Sequence, residues 1–255
     1  MVDIAAEGAR LAIYTAQRLK LYERLIAALR KKHRVIVLGS TGVGKTSLIN
    51  SLTEWMPEAI DYMNRTARSA KHHIKIKDDH FEFVDTPGQE QHVGIRTAAI
   101  DESFKRSVSG IVNVVAYGFH EYRRPTDDGI FTQSGSVSQR FLNRHRRLEL
   151  EMLTEWTSRV LTHRISPWIM TVMSKADYWW GNRHNVYDHY MSPKFDYAKA
   201  ISVIPDAQHT VHEYCSTIHK FYGQHSPRED FDRTDVQFLK TALLADLIDA
   251  IGRIQ

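Results

Sequence analysis

Apolar residues run along this chain in two rhythms. Three short stretches are apolar almost throughout: "RVIVLGS" (34–40), "GIVNVVAYG" (110–118) and "WIMTVM" (168–173). Unbroken, β-branched runs of this length fit strands buried on both faces. Other stretches place apolar residues at helical spacing. These are residues 4–32, with Leu11, Tyr22, Leu25, Ile26 and Leu29, the segment "KTSLINSLTEWM", roughly 90–107, residues 140–161 with Leu142, Leu148, Met152, Leu153, Trp156 and Val160, and 235–254. A third pattern alternates. "HHIKIK" and "HFEFVD" flank Asp78-Asp79 and point Ile74, Ile76, Phe81 and Phe83 the same way, as a hairpin does. Residues 120–139 are polar and read as a long surface loop. Residues 182–208 read as aromatic and irregular, and "TVHEYCS" as a last strand.

Strands alternating with helices predict an α/β fold. The expected architecture is a three-layer, mostly parallel sheet with one antiparallel edge hairpin and helices on both faces. Residues 33–255 form one domain with a long insertion around 119–139, and residues 1–32 form an N-terminal helical extension. In such folds ligands bind beyond the carboxyl ends of the strands.

Composition narrows the setting. The 255 residues are 42% hydrophobic and 25% charged, with a net charge of +4, a globular balance. Cys215 is the only cysteine, so no intrachain disulfide can form. Asp3 and Glu7 stand where a secretory leader carries positive charge, and no apolar run approaches a membrane span. The expectation is a soluble, cytoplasmic protein. Two basic clusters, Arg65, Arg68, Lys71, Lys75 and Lys77, and Arg140, Arg144, Arg146 and Arg147, read as solvated faces, the second diluted by Glu149 and Glu151. Nucleic acid or an anionic membrane surface is compatible with this charge, but no binding motif supports either.

Three segments carry chemistry. "GSTGVGKTS" satisfies G-x-x-x-x-G-K-[ST] between a predicted strand and a predicted helix. Its glycines let backbone N–H groups turn inward, and the helix start adds partial positive charge. Gly39, Thr41, Gly42, Val43, Gly44, Lys45, Thr46 and Ser47 are therefore candidate phosphate-binding residues. Lys45 reaches the β/γ-phosphates, and the Thr46 hydroxyl is a candidate Mg²⁺ ligand. In "FVDTPGQE" (83–90), Asp85 ends a strand where a carboxylate can hold Mg²⁺ through water. Gly88 can bring its N–H to a γ-phosphate, and Gln89 can orient an attacking water. The third segment, "MSKAD", delivers Ser174, Lys175 and Asp177 from the end of a buried strand.

In this order and context the three segments resemble the Ras-like and Era-like P-loop GTPases of the TRAFAC-type class. The resemblance covers roughly residues 33–220 by topology and rests on these short motifs. It implies a switch protein that binds GTP or GDP with Mg²⁺ and hydrolyses GTP, with Lys45 and Gln89 as its catalytic candidates. It also implies that Asp177 takes two hydrogen bonds from guanine while the Lys175 stem covers the base. The family usually has asparagine where this chain has Ser174, and the loss removes an amide that ties the base motif to the phosphate loop. Septins and dynamins are similar in carrying a smaller residue there, and they self-associate through the nucleotide face, so a homodimer is one implied partner arrangement beside an unidentified effector. Thr66 stands where the family's Mg²⁺-sensing threonine belongs, with Ser69 as second choice, and Ser216 stands near the last base-contacting loop. Arg123 and Arg124 read as solvated loop arginines, with an internal arginine finger as the second reading. Two other readings stay open: a nucleotide-dependent scaffold with negligible hydrolysis, and a P-loop protein that uses ATP.

Overall fold

The computed structural model describes residues 33–54, 70–76, 79–85, 93–105, 108–121, 129–218, 222 and 230–252. The expected extension at 1–32 lies outside them. Six strands form one sheet: β1 (His33–Leu38), β2 (Ala70–Ile76), β3 (Asp79–Asp85), β4 (Gly110–Val115), β5 (Trp168–Met173) and β6 (His209–Glu213). Their order is β2-β3-β1-β4-β5-β6. Only the β2–β3 pair is antiparallel, so the expected edge hairpin is present on an otherwise parallel sheet.

The apolar runs occupy the centre. Val35, Ile36, Val37 and Leu38 are buried, as are all six positions of both β4 and β5. Parallel strands covered on both faces must be apolar on both faces. The polar exceptions share one partner. Asn113 and Thr171 are cross-strand neighbours, and both meet the buried Tyr197 hydroxyl, at 2.5 and 3.1 Å.

The crossovers decide where the site lies. α1 (Lys45–Glu54) precedes β3 on one side of β1, and α2 (Val93–Phe104) leads back to β4 on the other side. Right-handed crossovers put α1 on one face of the sheet and α2 and α3 (Gln139–His163) on the opposite face. The direction of winding reverses at β1, and the crevice at such a reversal is where these sheets bind ligands.

α3 starts where Ser138 accepts from the Phe141 N–H at 3.2 Å, and it ends at Arg164 in a left-handed conformation. Its buried face holds Phe141, Leu142, Met152, Leu153, Trp156 and Val160, and also Glu149. This corrects one reading: Glu149 is not part of a solvated charged face but is buried. A second correction concerns 182–208. That stretch is not irregular, because it contains α5 (Arg183–Met191) and α6 (Asp196–Ser202) after the short helix α4 (Ala176–Trp179). Within α5 only Val186 and Tyr190 are buried, too thin a stripe to show as a helical pattern. The predicted surface loop is partly built as well: Phe131 bridges Val137, and Ile130 and Val137 are buried. α7 (Arg233–Gly252) closes the described chain. No helix among the described residues is long and apolar enough to cross a membrane.

Two partly buried histidines set an acid limit. Burial, with the nearby His120 ring, lowers His145 to about 4, and burial, with His212, lowers His209 to about 4. Both stay neutral in the fold, whereas an unfolded chain takes up protons near 6.5. Below that value the unfolded state binds more protons, so stability falls from pH 6.5 to pH 4. Urea midpoints across that window should fall, and a His145→Gln/His209→Gln double variant should show a shallower slope. An equal slope in both proteins would contradict this origin.

Candidate functional site: a nucleotide cradle at the carboxyl edge of the sheet

β1 ends at Leu38, and the chain turns through Gly39–Gly44 into α1. Gly39, Gly42 and Gly44 have φ of 141°, 78° and 96°. At the first two the space is also closed. A Cβ on Gly39 would lie 2.3 Å from the Val114 carbonyl oxygen, and one on Gly42 would lie 2.5 Å from that of Glu121. No side chain fits either position. The turn from Ala116 to Glu121, which follows β4, presses against this loop, and the Glu121 N–H donates to the Gly42 carbonyl at 2.9 Å. Val43 is fully buried, so its side chain anchors the loop while Thr41, Thr46 and Ser47 are exposed. Lys45 is buried, and its ammonium donates to the Gly39 and Ser40 carbonyls at 2.8 and 2.9 Å. That places a cation against the inside of the loop, beside the start of α1.

The second wall comes from the end of β5. The Ser174 N–H extends the ladder to the Val115 carbonyl at 2.8 Å. The Ser174 hydroxyl lies 2.5 Å from the Val43 carbonyl and 2.9 Å from that of Val115, and its one proton serves one of them at a time. The tie between base motif and phosphate loop, expected to be lost with the asparagine, is therefore made by a shorter side chain. Lys175 has φ 56°, and its ammonium donates to the Gly42 carbonyl at 2.9 Å. Burial lowers its pKa to about 8, against the pull of Glu121, Asp177 and Glu149. The Trp179 indole N–H donates to the Ser174 carbonyl at 2.8 Å and holds this turn closed from below. Trp180 packs edge-on against Phe231, with the Arg183 guanidinium 4.0 Å from its ring.

Asp177 is fully buried at the start of α4. The Cys215 thiol donates to its Oδ1 at 3.5 Å, and burial together with Asp177 pushes that thiol's pKa up. Cys215, which touches the candidate residue Asp177, was passed over in the sequence reading because a lone cysteine reads as core. Ser216, the residue chosen instead, sits next to it, half-buried after β6. A second group was also missed. His120 Nε2 donates to Glu149 Oε1 at 2.9 Å and lies 3.5 Å from Ser40 Oγ. The signal for Glu149 was its spacing: it lies seven residues after Leu142 and four before Leu153, on the apolar stripe of α3.

Asp85 ends β3 opposite Val37 of β1, so its backbone lies at the same sheet edge as the phosphate loop. Thr46, in the first turn of α1, is exposed. Thr66, Ser69, Gly88, Gln89, Arg123 and Arg124 lie outside the described residues.

Residues 34–144 match the family model described as 50S ribosome-binding GTPase. Solved structures of Toc33 from Arabidopsis thaliana share the fold. The complex with GDP and Mg²⁺ has a TM-score of 0.57 at 14% identity, over 95% of this chain and 93% of that one. The complex with Mg²⁺ and GMPPNP has 0.54 at 14% identity over the same shares. A dimerization-deficient mutant has 0.51 at 13% identity, again over 95% and 93%. No curated protein matches the chain in sequence.

The Ser174 tie yields a direct expectation. Ser174→Ala removes a buried hydroxyl bond worth about 1 kcal/mol. It should weaken guanine-nucleotide affinity about fivefold to tenfold while the protein stays folded, as calorimetric titration would show. Unchanged affinity would mean that the hydroxyl does not support the loop. The glycine-walled loop, the buried Lys45, the turn carrying Asp177 and the match over residues 34–144 converge on one likeness: the chain has the fold of the P-loop GTPases and is similar to them over that segment.

Proposed function

We propose that the protein is a guanine-nucleotide switch that binds GTP and GDP with Mg²⁺ and hydrolyses GTP by attack of water on the γ-phosphate. The observation that carries this reading is the joint placement of Lys45 and Asp177. A buried cation at the phosphate loop and a buried carboxylate at the base turn are bridged by Ser174 and Lys175. Guanine offers two adjacent donors, N1–H and the exocyclic amine, which a carboxylate accepts together; adenine lacks that pair. The apolar stem of Lys175 would lie along the base, and its ammonium already anchors to Gly42.

In the proposed reaction the inward-facing loop amides and Lys45 hold the phosphates and bear the charge that builds on the bridging oxygen. Thr46 and Asp85 would hold Mg²⁺, which neutralises charge shared by the β- and γ-phosphates. Gln89 would orient the attacking water, with Gly88 lending its N–H to the γ-phosphate and Thr66 reporting its presence. Toc33 structures hold GDP with Mg²⁺ and GMPPNP with Mg²⁺, which supports the same nucleotide class for this fold. A homodimer across the nucleotide face fits the resemblance to self-associating relatives.

Calorimetric titration with GTP, GDP and ATP in Mg²⁺, beside Lys45→Ala, tests the binding step. The expected result is guanine binding at least a hundredfold tighter than ATP binding and abolished in the variant. Equal binding of ATP would overturn the guanine assignment. Phosphate release then separates enzyme from scaffold. Gln89→Ala should slow it by tenfold or more; turnover that is negligible in both proteins favours the scaffold reading.

A further inference from the structure

Glu149 is a carboxylate on the apolar stripe of α3, 2% exposed, that accepts from four donors. Its Oε1 accepts from the Ala116 N–H at 2.9 Å, the Gly118 N–H at 3.3 Å and the His120 ring at 2.9 Å. Its Oε2 accepts from the Tyr190 hydroxyl at 2.6 Å. The Tyr190 oxygen in turn accepts from the Tyr117 N–H at 2.9 Å. Burial alone would raise this carboxyl, but the His120 and Tyr190 donors and the Ala116 N–H outweigh it and hold it below the usual carboxylate range.

What these bonds hold is a single turn. Tyr117 and Gly118 have φ of 51° and 85°, so the Ala116 and Gly118 N–H groups turn toward one point, which Glu149 Oε1 occupies, while the Tyr117 N–H between them meets the Tyr190 hydroxyl. Gly118 cannot take a side chain, since a Cβ would meet the Leu142 carbonyl of α3 at 2.4 Å. The Tyr222 hydroxyl donates to the His120 carbonyl from the far side. The turn therefore has little freedom of its own.

The same turn, with the end of β4 before it, is the wall of the phosphate loop. Val114 of β4 lies against Gly39, and from the turn the His120 ring lies 3.5 Å from Ser40 Oγ and Glu121 bonds to Gly42 and backs it. We propose that Glu149 is the positioning residue of the phosphate loop: acting through the 116–121 turn, it fixes Gly39–Gly42, and the residence time of nucleotide depends on it. The inference rests on the guanine-nucleotide reading for its consequence, but not for the coupling itself. It also assigns a role to α5, whose Tyr190 is the carboxylate's fourth donor.

Two readouts on the full chain test it. The first is amide hydrogen exchange of residues 39–47 in the nucleotide-free protein; the second is the release rate of fluorescently labelled GDP in Mg²⁺. The variants are Glu149→Gln and Tyr190→Phe, the latter keeping the ring and losing one donor. Tyr197→Phe is the control, since its hydroxyl serves Asn113 and Thr171 and no atom of the turn. The expected result is exchange of 39–47 and GDP release faster by about tenfold in Glu149→Gln and by several-fold in Tyr190→Phe. Tyr197→Phe should change both by less than twofold while lowering the melting temperature. Should Glu149→Gln fail to fold, Tyr190→Phe carries the test. If the variants lose melting temperature as the control does and leave 39–47 exchange and GDP release unchanged, Glu149 is only a core residue and the proposal falls. Faster exchange at 39–47 in a protein that binds no GDP would uphold the coupling and sink the guanine-nucleotide reading instead.

Discussion

The structure depends on one steric constraint: the chain leaving β1 must face the ligand with backbone and not with side chains. Gly39 and Gly42 meet it twice over, through φ that other residues resist and through carbonyls of Val114 and Glu121 where a Cβ would sit. The constraint propagates outward. Because the loop has no side chains to pack at these points, its position must be set by what surrounds it.

Three elements do that setting, from different directions. β4 continues into the 116–121 turn and walls the loop on one side. The end of β5 reaches it through the Ser174 hydroxyl and the Lys175 ammonium, which end on Val43 and Gly42. Lys45, from within, spans Gly39 and Ser40. The carbonyls of Gly39, Ser40, Gly42 and Val43 accept from Lys45, from the Glu121 N–H and Lys175, and from Ser174, so one short segment ties the end of β5 to the loop.

How much of this was legible in the sequence follows from which residues carry local patterns. The three buried strands, α1, α3 and α7 announce themselves by period, because burial on one or both faces imposes it. The phosphate loop and the "SKAD" turn were legible because their chemistry needs fixed residue types at fixed spacing. α5 and α6 were not, since two or three buried residues each leave no stripe to read. Glu149 was misplaced because charge usually marks a solvated face; only its position in the apolar period betrayed it. Cys215 and Ser174 show a further limit. Whether a thiol reaches Asp177, or a hydroxyl can replace an amide, depends on distances of about an ångström between strands far apart in the chain, which no local pattern encodes.

The central claim is that Asp177 reads guanine from the end of β5. The most direct measurement is the GDP and XDP affinity of the protein and of Asp177→Asn. Xanthine carries a carbonyl where guanine carries its exocyclic amine, so an asparagine amide complements it as the aspartate complements guanine. The account predicts that the variant loses GDP affinity by a hundredfold or more and gains XDP affinity by a comparable factor. A variant that keeps its GDP affinity, with no gain for XDP, would contradict it.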